Sequence, residues 1–209
     1  MTANRENSTG KSLGVLISGR GTNLQSILEA IAAGRLAATI AVVISNRADA
    51  AGLARAQEAG IETLVMDHRG YETREAYDTA LAAALAARRV SLVCLAGFMR
   101  VLSPAFISVF AGRIVNIHPS LLPAFPGIGA QRQAFAHGVK IAGATVHLVD
   151  DSLDGGPIVM QESLFVDPSD TAETLAARIL EIEHRLYPKA IADVIAGGWR
   201  LDGRRFVRA

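Results

Sequence analysis

Residues 13–28 read LGVLISGRGTNLQSIL, and this stretch decides the architecture. Gly14 to Ser18 is an apolar run of strand length, stopped by Gly19, Arg20 and Gly21. Leu24, Ile27, Leu28 and Ile31 then recur at helical spacing until Gly34, and Thr22 or Asn23 is placed to cap the helix. A strand, a glycine turn and a helix make one β–α unit.

The same alternation continues outward along the chain. Strands are expected over Thr39 to Ile44, Glu62 to Met66, Ser91 to Ala96 and Arg113 to His118. Helices are expected over Ala50 to Ala59, closed by Gly60, over the alanine-rich Arg74 to Arg88, and briefly over Ser103 to Phe110. Strands alternating with helices imply an α/β fold in three layers, a mostly parallel sheet with helices on both faces. Later the pattern changes. Ala144 to Val149 and Ile158 to Glu162 flank the Asp/Gly-rich turn 150–156, which predicts antiparallel strands added to the parallel core. A long helix is expected from about Thr171 to Ile195, with Leu175, Ile179, Ile182 and Leu186 along one side; Pro188 predicts a kink or a break in it. Trp199 to Val207, centred on Asp202 and Gly203, reads as a small hairpin. Residues 1–12 read as a flexible tail and 13–209 as a single domain, with no internal repeat or linker.

Composition narrows the function. Half of the 209 residues are hydrophobic, enough for a sizeable core. With 21 basic and 20 acidic residues, the net charge of +1 gives no electrostatic reason to expect nucleic acid or an anionic membrane as partner. The single cysteine, Cys94, lies in an apolar run and reads as a buried small hydrophobe; with no intramolecular disulfide possible, a reducing cytoplasm is the expected setting. The polar N-terminus lacks a signal-peptide core, and no apolar run approaches the ~18 residues of a membrane helix.

The turn Ser18 to Asn23 joins the first strand to the first helix, where free backbone N–H groups and the positive helix end favour an anion. A dinucleotide fingerprint fails, because Leu24 stands where the third glycine belongs and the second strand ends in Ser45 and Asn46 without an acid. A Walker loop fails as well, since Gly10, Lys11 and Ser12 have no glycine five residues before Gly10. A monophosphate site is the preferred reading, and a tight turn with no ligand is the alternative.

Asn116 and His118 end an apolar strand two residues apart, so they project to the same side, and Pro119 stops the strand just beyond them. An amide donor beside an imidazole suits acyl transfer, one stabilising an oxyanion and the other moving a proton. Asp154, taken alone, reads as turn chemistry before Gly155 and Gly156. Glu183 and His184 read as a solvated flank of the last long helix. His68 and His137 read as surface residues, and His147 as a core histidine or a support for the site. The five histidines show no metal-ligand spacing, so no metal site is expected.

Four segments together carry a resemblance: VLISGRGTNLQ at 15–25, LAGFMRVLSP at 95–104, NIHPSLLP at 116–123 and LDGGPI at 153–158. From about Leu13 to Arg200 the chain resembles the phosphoribosylglycinamide formyltransferases, which formylate glycinamide ribonucleotide in purine synthesis. The resemblance implies a Rossmann-like formyltransferase fold, small-molecule partners, 10-formyltetrahydrofolate as co-substrate and no metal. It implies that Gly21, Thr22 and Asn23 hold the substrate phosphate and Glu183 the ribose hydroxyls. Met99, Arg100, Val101 and Leu102 would line the folate pocket with backbone groups for the pterin, and Arg74 would lie near the folate tail. Asp150, Asp151, Ser152, Leu153 and Asp154 would close over the pterin. Asn116, His118 and Asp154 match the catalytic trio. The fit departs at Gly129 to Arg132, where some relatives carry histidine, and at Leu180, where some carry a polar residue. A formyltetrahydrofolate hydrolase, another 10-formyltetrahydrofolate-dependent transferase and a non-catalytic nucleotide-binding module are the alternatives, and a monomer or homodimer is expected.

Overall fold

The computed structural model describes residues 11–208. Residues 1–10, most of the expected tail, lie outside the described residues, and Ser12 already opens the first strand. The strands are β1 (Ser12–Ile17), β2 (Thr39–Ser45), β3 (Thr63–Val65), β4 (Leu92–Leu95), β5 (Ile114–His118), β6 (Ile141–Leu148), β7 (Ile158–Phe165), β8 (Trp199–Asp202) and β9 (Arg205–Arg208). The helices are α1 (Thr22–Ala32), α2 (Gly52–Glu58), α3 (Arg74–Ala87), α4 (Pro104–Val109), α5 (Ala130–His137) and α6 (Ala172–Ala196).

All strands join one sheet in the order β3-β2-β1-β4-β5-β6-β7-β9-β8. From β3 to β5 the pairing is parallel, and β6 then adds antiparallel to β5 and β7 antiparallel to β6. The expected mixed sheet is therefore present, and the C-terminal hairpin β8–β9 extends it through a bridge between Ile158 and Arg205.

Period-2 alternation sorts the strand residues into two cores. Leu13, Val15, Ile17, Cys94, Val115 and Ile117 pack with α1, α2 and α6. Leu16, Val42, Ile44, Val93, Leu95 and Ile114 pack with α3 and α4 on the opposite face. The α6 side continues across β6 through Ala142, Ala144, Val146 and Leu148. The α3–α4 side reaches only Ile114 on β5, so the next same-face positions, Asn116 and His118, lie past its edge.

Two expectations are corrected. Neither Thr22 nor Asn23 caps α1; Gly21 is the cap residue, at φ 69°, and no side chain bonds the helix end. Pro188 does not break α6, which runs for 25 residues. The neighbours of Pro188, Leu186, Tyr187, Ala190 and Ile191, are buried, and the Tyr187 hydroxyl reaches the Leu95 and Val115 carbonyls at 2.9 and 3.1 Å, so packing outweighs the lost backbone bond. Segment 130–137, which the sequence did not single out as an element, forms α5, opened and closed by the left-handed Gly129 and Gly138. Among the described residues no helix is long and apolar enough to cross a membrane.

Gly143 marks where β6 and β7 approach too closely for a side chain. A Cβ there would run into the Glu162 carbonyl and lie 2.9 Å from both Leu121 Cδ2 and Ser163 Cα. Because two of these obstacles are backbone, Gly143→Ala should destabilise the protein by about 2–4 kcal/mol. The expected readout is a melting temperature lower by roughly 5–10 °C in a protein of this size.

Candidate active site

A cavity of about 370 Å³ opens at the carboxyl ends of β4 and β5. Ligands of open α/β sheets bind at this end of the strands, near the point where strand order reverses, here between β1 and β4. Met99 to Leu102, Asn116, His118 and the whole of Asp150 to Asp154 line the cavity. Arg74 does not; it stands exposed in the first turn of α3, 3.3 Å from Glu75.

The antiparallel register sets Asn116 opposite His147 and His118 opposite Thr145. Paired residues share a face, so β5 and β6 present four polar side chains together where the helical layer has ended. His147 is buried, and its Nδ1 lies 2.9 Å from the Leu148 carbonyl, which only accepts. Nδ1 therefore carries the hydrogen, and Nε2 accepts from the Asn116 amide at 3.2 Å. Burial pushes the proton affinity of His147 down, which keeps the ring neutral and this tautomer in place.

His118 is held from both sides. Its Nε2–H donates to the Phe125 carbonyl at 2.9 Å, and its Nδ1 faces Asp154 Oδ2 at 3.4 Å. With Nε2–H spent on Phe125, Nδ1 meets the carboxylate either as a second N–H, in the imidazolium, or as a bare lone pair; only the first is attractive. Asp154 is itself oriented by the Gly127 N–H at 2.7 Å, and its other oxygen lies 3.7 Å from His147 Nε2. Both contacts of His118 come from strained backbone, because Phe125 and Asp154 have φ of 54° and 50°. Turn chemistry alone therefore does not describe Asp154, which is aimed into a ring of polar partners.

The Phe125 loop is fixed by a residue that sequence reading missed. Thr145 Oγ1 donates to the Ser120 carbonyl at 2.6 Å and accepts from Leu122 N–H at 3.0 Å and Gln161 Nε2 at 2.9 Å. Gln131, on the first full turn of α5, also lines the cavity.

The glycine-loop residues form a second cluster. Gly21 is confined twice, by its left-handed φ and by Gly52, whose Cα would lie 2.5 Å from a Cβ at Gly21. Asn23 does not cap; its Nδ2 donates to Glu183 Oε2 at 2.7 Å, while its buried Oδ1 has no partner among the described residues. Glu183 is 5% exposed, which corrects its reading as a solvated flank, and burial raises its proton affinity above the ordinary carboxylate range. Arg20 is exposed, and its carbonyl accepts from Arg55 at 3.1 Å. The clusters adjoin: Ser18 N–H donates to the Gly97 carbonyl at 3.1 Å, and Ser18 Oγ accepts from Met99 N–H at 2.8 Å. His137 is exposed and His68 half-buried.

Comparison with known proteins gives this geometry a family. Residues 11–191 match the family described as formyl transferase. The chain belongs to the formyl transferase family. It is 45% identical to the phosphoribosylglycinamide formyltransferase of Escherichia coli (strain K12), over 91% of this chain and 87% of that one. It is 46% identical, over 90% of its length, to the trifunctional purine biosynthetic protein adenosine-3 of Drosophila melanogaster, but spans only 14% of that longer protein. The crystal structure of glycinamide ribonucleotide transformylase 1 from Symbiobacterium toebii superposes with a TM-score of 0.95 at 51% identity, covering 99% of this chain and 98% of that one. The formyl transferase fold expected from the sequence is thus present throughout.

The buried Glu183 carries a stability consequence for this formyl transferase. A folded-state proton affinity raised above the unfolded one means that the native state binds the proton more tightly. The contribution to stability is then full below the unfolded value, 4.5, and is lost as pH rises through the folded one. Glu183→Gln removes the charge and keeps an acceptor for Asn23. The variant should melt above the wild type at pH 7–8, with the gain shrinking towards pH 4, as read by calorimetric melts across that range.

Proposed function

We propose that this formyl transferase moves the formyl group of 10-formyltetrahydrofolate to the amine of glycinamide ribonucleotide in purine biosynthesis. The observation that carries the reading is the convergence of Asn116, His118 and Asp154 in one cavity walled by segments 99–102 and 150–154. The names of its relatives agree with that activity. Residues 13–209 serve as one catalytic domain, in a cytoplasmic setting and with small molecules as partners.

The ribonucleotide phosphate sits against the N-terminus of α1 at Gly21, Thr22 and Asn23, where no side chain occupies the helix end. Glu183 takes the ribose hydroxyls, with Asn23 keeping one of its oxygens in place. The Met99 to Leu102 segment, with the free backbone of Arg100, Val101 and Leu102, and the 150–154 turn hold the pterin, while Arg74 lies towards the outer end of the folate. The amine attacks the formyl carbon on N10. A C–N bond forms, the carbonyl pair moves to oxygen, and a tetrahedral oxyanion results. One Asn116 N–H is committed to His147, so the other points at that oxygen. The loosely engaged Nδ1–H of His118 supplies the second donor. Asp154 faces that nitrogen as its hydrogen-bond partner. It also relays the proton lost by the attacking amine to N10, which leaves as the C–N10 bond breaks. The products are formylated ribonucleotide and tetrahydrofolate.

His147 is a positioning residue in this scheme. Its tautomer decides which end of the Asn116 amide enters the cavity.

The deciding assay is formation of formylated ribonucleotide from the two purified substrates. His118→Ala and Asp154→Asn should each lower kcat by about 10²–10³, the loss usual for one oxyanion-stabilising group, with little change in ribonucleotide KM. Glu183→Gln should do the reverse, raising ribonucleotide KM more than it lowers kcat. Near-wild-type turnover in both His118→Ala and Asp154→Asn, or release of formate in place of product, would overturn the proposal.

A further inference from the structure

One wall of the cavity, Met99 to Leu102, is irregular chain that has to be held in place. No hydrogen bond among the described residues engages the backbone N–H or C=O of Arg100, Val101 or Leu102. Those groups are free for a ligand, yet nothing in the backbone ladder fixes them. The ends of the segment are fastened: Met99 N–H donates to Ser18 Oγ at 2.8 Å, and Ser103 N–H donates to Asp78 Oδ2 at 2.5 Å. Phe98 and Leu102 are buried in the α3–α4 core.

The middle is held by an aromatic face. Among the described residues Arg100 is the one lysine or arginine lining the cavity, and its guanidinium carbon lies 4.9 Å from the ring centroid of Tyr77. Among the described residues no acid pairs with Arg100, and its buried Nε has no hydrogen-bond partner. The Tyr77 ring is fully buried and is itself fixed edge-on by Tyr71 and His68, at 5.3 and 6.3 Å between centroids. Its hydroxyl, buried without a partner, contributes no hydrogen bond. Burial pushes that phenol up to about 12, so the ring stays neutral at any physiological pH. An acid in this place would neutralise the guanidinium and occupy its N–H groups. A ring face attracts the charge and leaves the N–H donors unspent.

We propose that Tyr77 is a positioning residue of the folate pocket: its ring face holds the Arg100 guanidinium and thereby fixes the free backbone of residues 100–102 in the orientation the folate meets. Tyr77 acts beside Asp78, its neighbour on α3, which pins Ser103. The inference rests on the folate reading above, and it assigns to the ring, not to the hydroxyl, the work of setting folate affinity.

The test is calorimetric titration with tetrahydrofolate together with steady-state kinetics on four single variants and one double variant, at a temperature well below every melting point. Tyr77→Phe keeps the ring and should bind tetrahydrofolate as the wild type does. Tyr77→Leu should weaken tetrahydrofolate binding and raise the 10-formyltetrahydrofolate KM by about three- to tenfold, the range a partly desolvated cation–π contact supplies. Ribonucleotide KM and kcat should stay within about twofold. Tyr77→Met, unbranched and able to adapt to the space the ring leaves, serves if the leucine variant does not fold. Arg100→Ala should show a similar loss, and adding it to Tyr77→Leu should cost nothing more, because the two residues act as one unit. Unchanged folate affinity in Tyr77→Leu and Tyr77→Met, equal losses in Tyr77→Phe and Tyr77→Leu, or additive losses in the double variant would each overturn the proposal. A wild-type protein that binds no tetrahydrofolate would instead overturn the functional reading on which it rests.

Discussion

Antiparallel pairing of β5 with β6 sets Asn116 against His147 and His118 against Thr145, on a face that the α3–α4 layer no longer covers. Everything polar in the cavity follows from that register. A slip of one residue in β6 would turn Thr145 and His147 into the α6 core and bring Ala144, Val146 and Leu148 out to the cavity face. The apolar demand of the α6 face therefore fixes the position of the polar groups on the other side. Antiparallel addition has a second effect. Segment 119–140 returns from the end of β5 over the cavity, which brings the Phe125 carbonyl and the Gly127 N–H to His118 and Asp154. A right-handed parallel crossover would have carried that segment away from the strand ends.

The site is assembled from groups that are individually unfavourable. Phe125 and Asp154 hold left-handed backbone conformations without being glycine. Glu183 is buried with a single side-chain donor, and the Asn23 oxygen beside it has no partner among the described residues. Each such feature costs of order 1–3 kcal/mol. They persist because two large cores, one on each face of the sheet, over-determine the positions of the strands that carry them. Tyr187 illustrates the coupling: one side chain of α6 packs in the core and ties the helix to Leu95, at the end of β4 beside the cavity, and to Val115 on β5.

The parallel half of the fold was legible because its strands are short apolar runs separated by glycine turns and by helices with clear spacing. Asn116 and His118 were legible for a related reason, since i and i+2 in a strand share a side whatever the tertiary structure. Asp154 and Glu183 were not, because nothing local distinguishes a turn aspartate or a flank glutamate from one that long-range packing buries; only the family resemblance singled them out. Thr145 and Gln161 escaped entirely. Their roles exist only across β6 and β7, through the Leu122 and Ser120 backbone. The misplaced cap of α1 has a similar origin. Asn23 would serve as a cap in an isolated helix, but Glu183, 160 residues away, takes its amide, and the left-handed Gly21 leaves the helix end open. In each case a tertiary contact overrode a local preference where a ligand is expected to bind.

The burial of His147 also limits how protons move in the cavity. Two imidazoles line it, and segment 129–132 adds none, since Gln131 contributes a neutral amide there. His147 gives its only hydrogen to the Leu148 carbonyl and is held neutral by burial. Gaining a second proton would sever its contact with Asn116 and leave two donors facing each other. His147 is thus restricted to orienting an amide, and the proposed reaction leaves proton transfer to His118 and Asp154, whose 3.4 Å separation leaves Nδ1 and Oδ2 incompletely engaged. A carboxylate on a turn suits that task better than one on a strand. It can shift by a few tenths of an ångström without disturbing the ladder that keeps Asn116 in register, while the Gly127 N–H preserves its direction. The proposed division of labour is physical: the strands carry the groups that orient, and the turn carries the one that relays the proton.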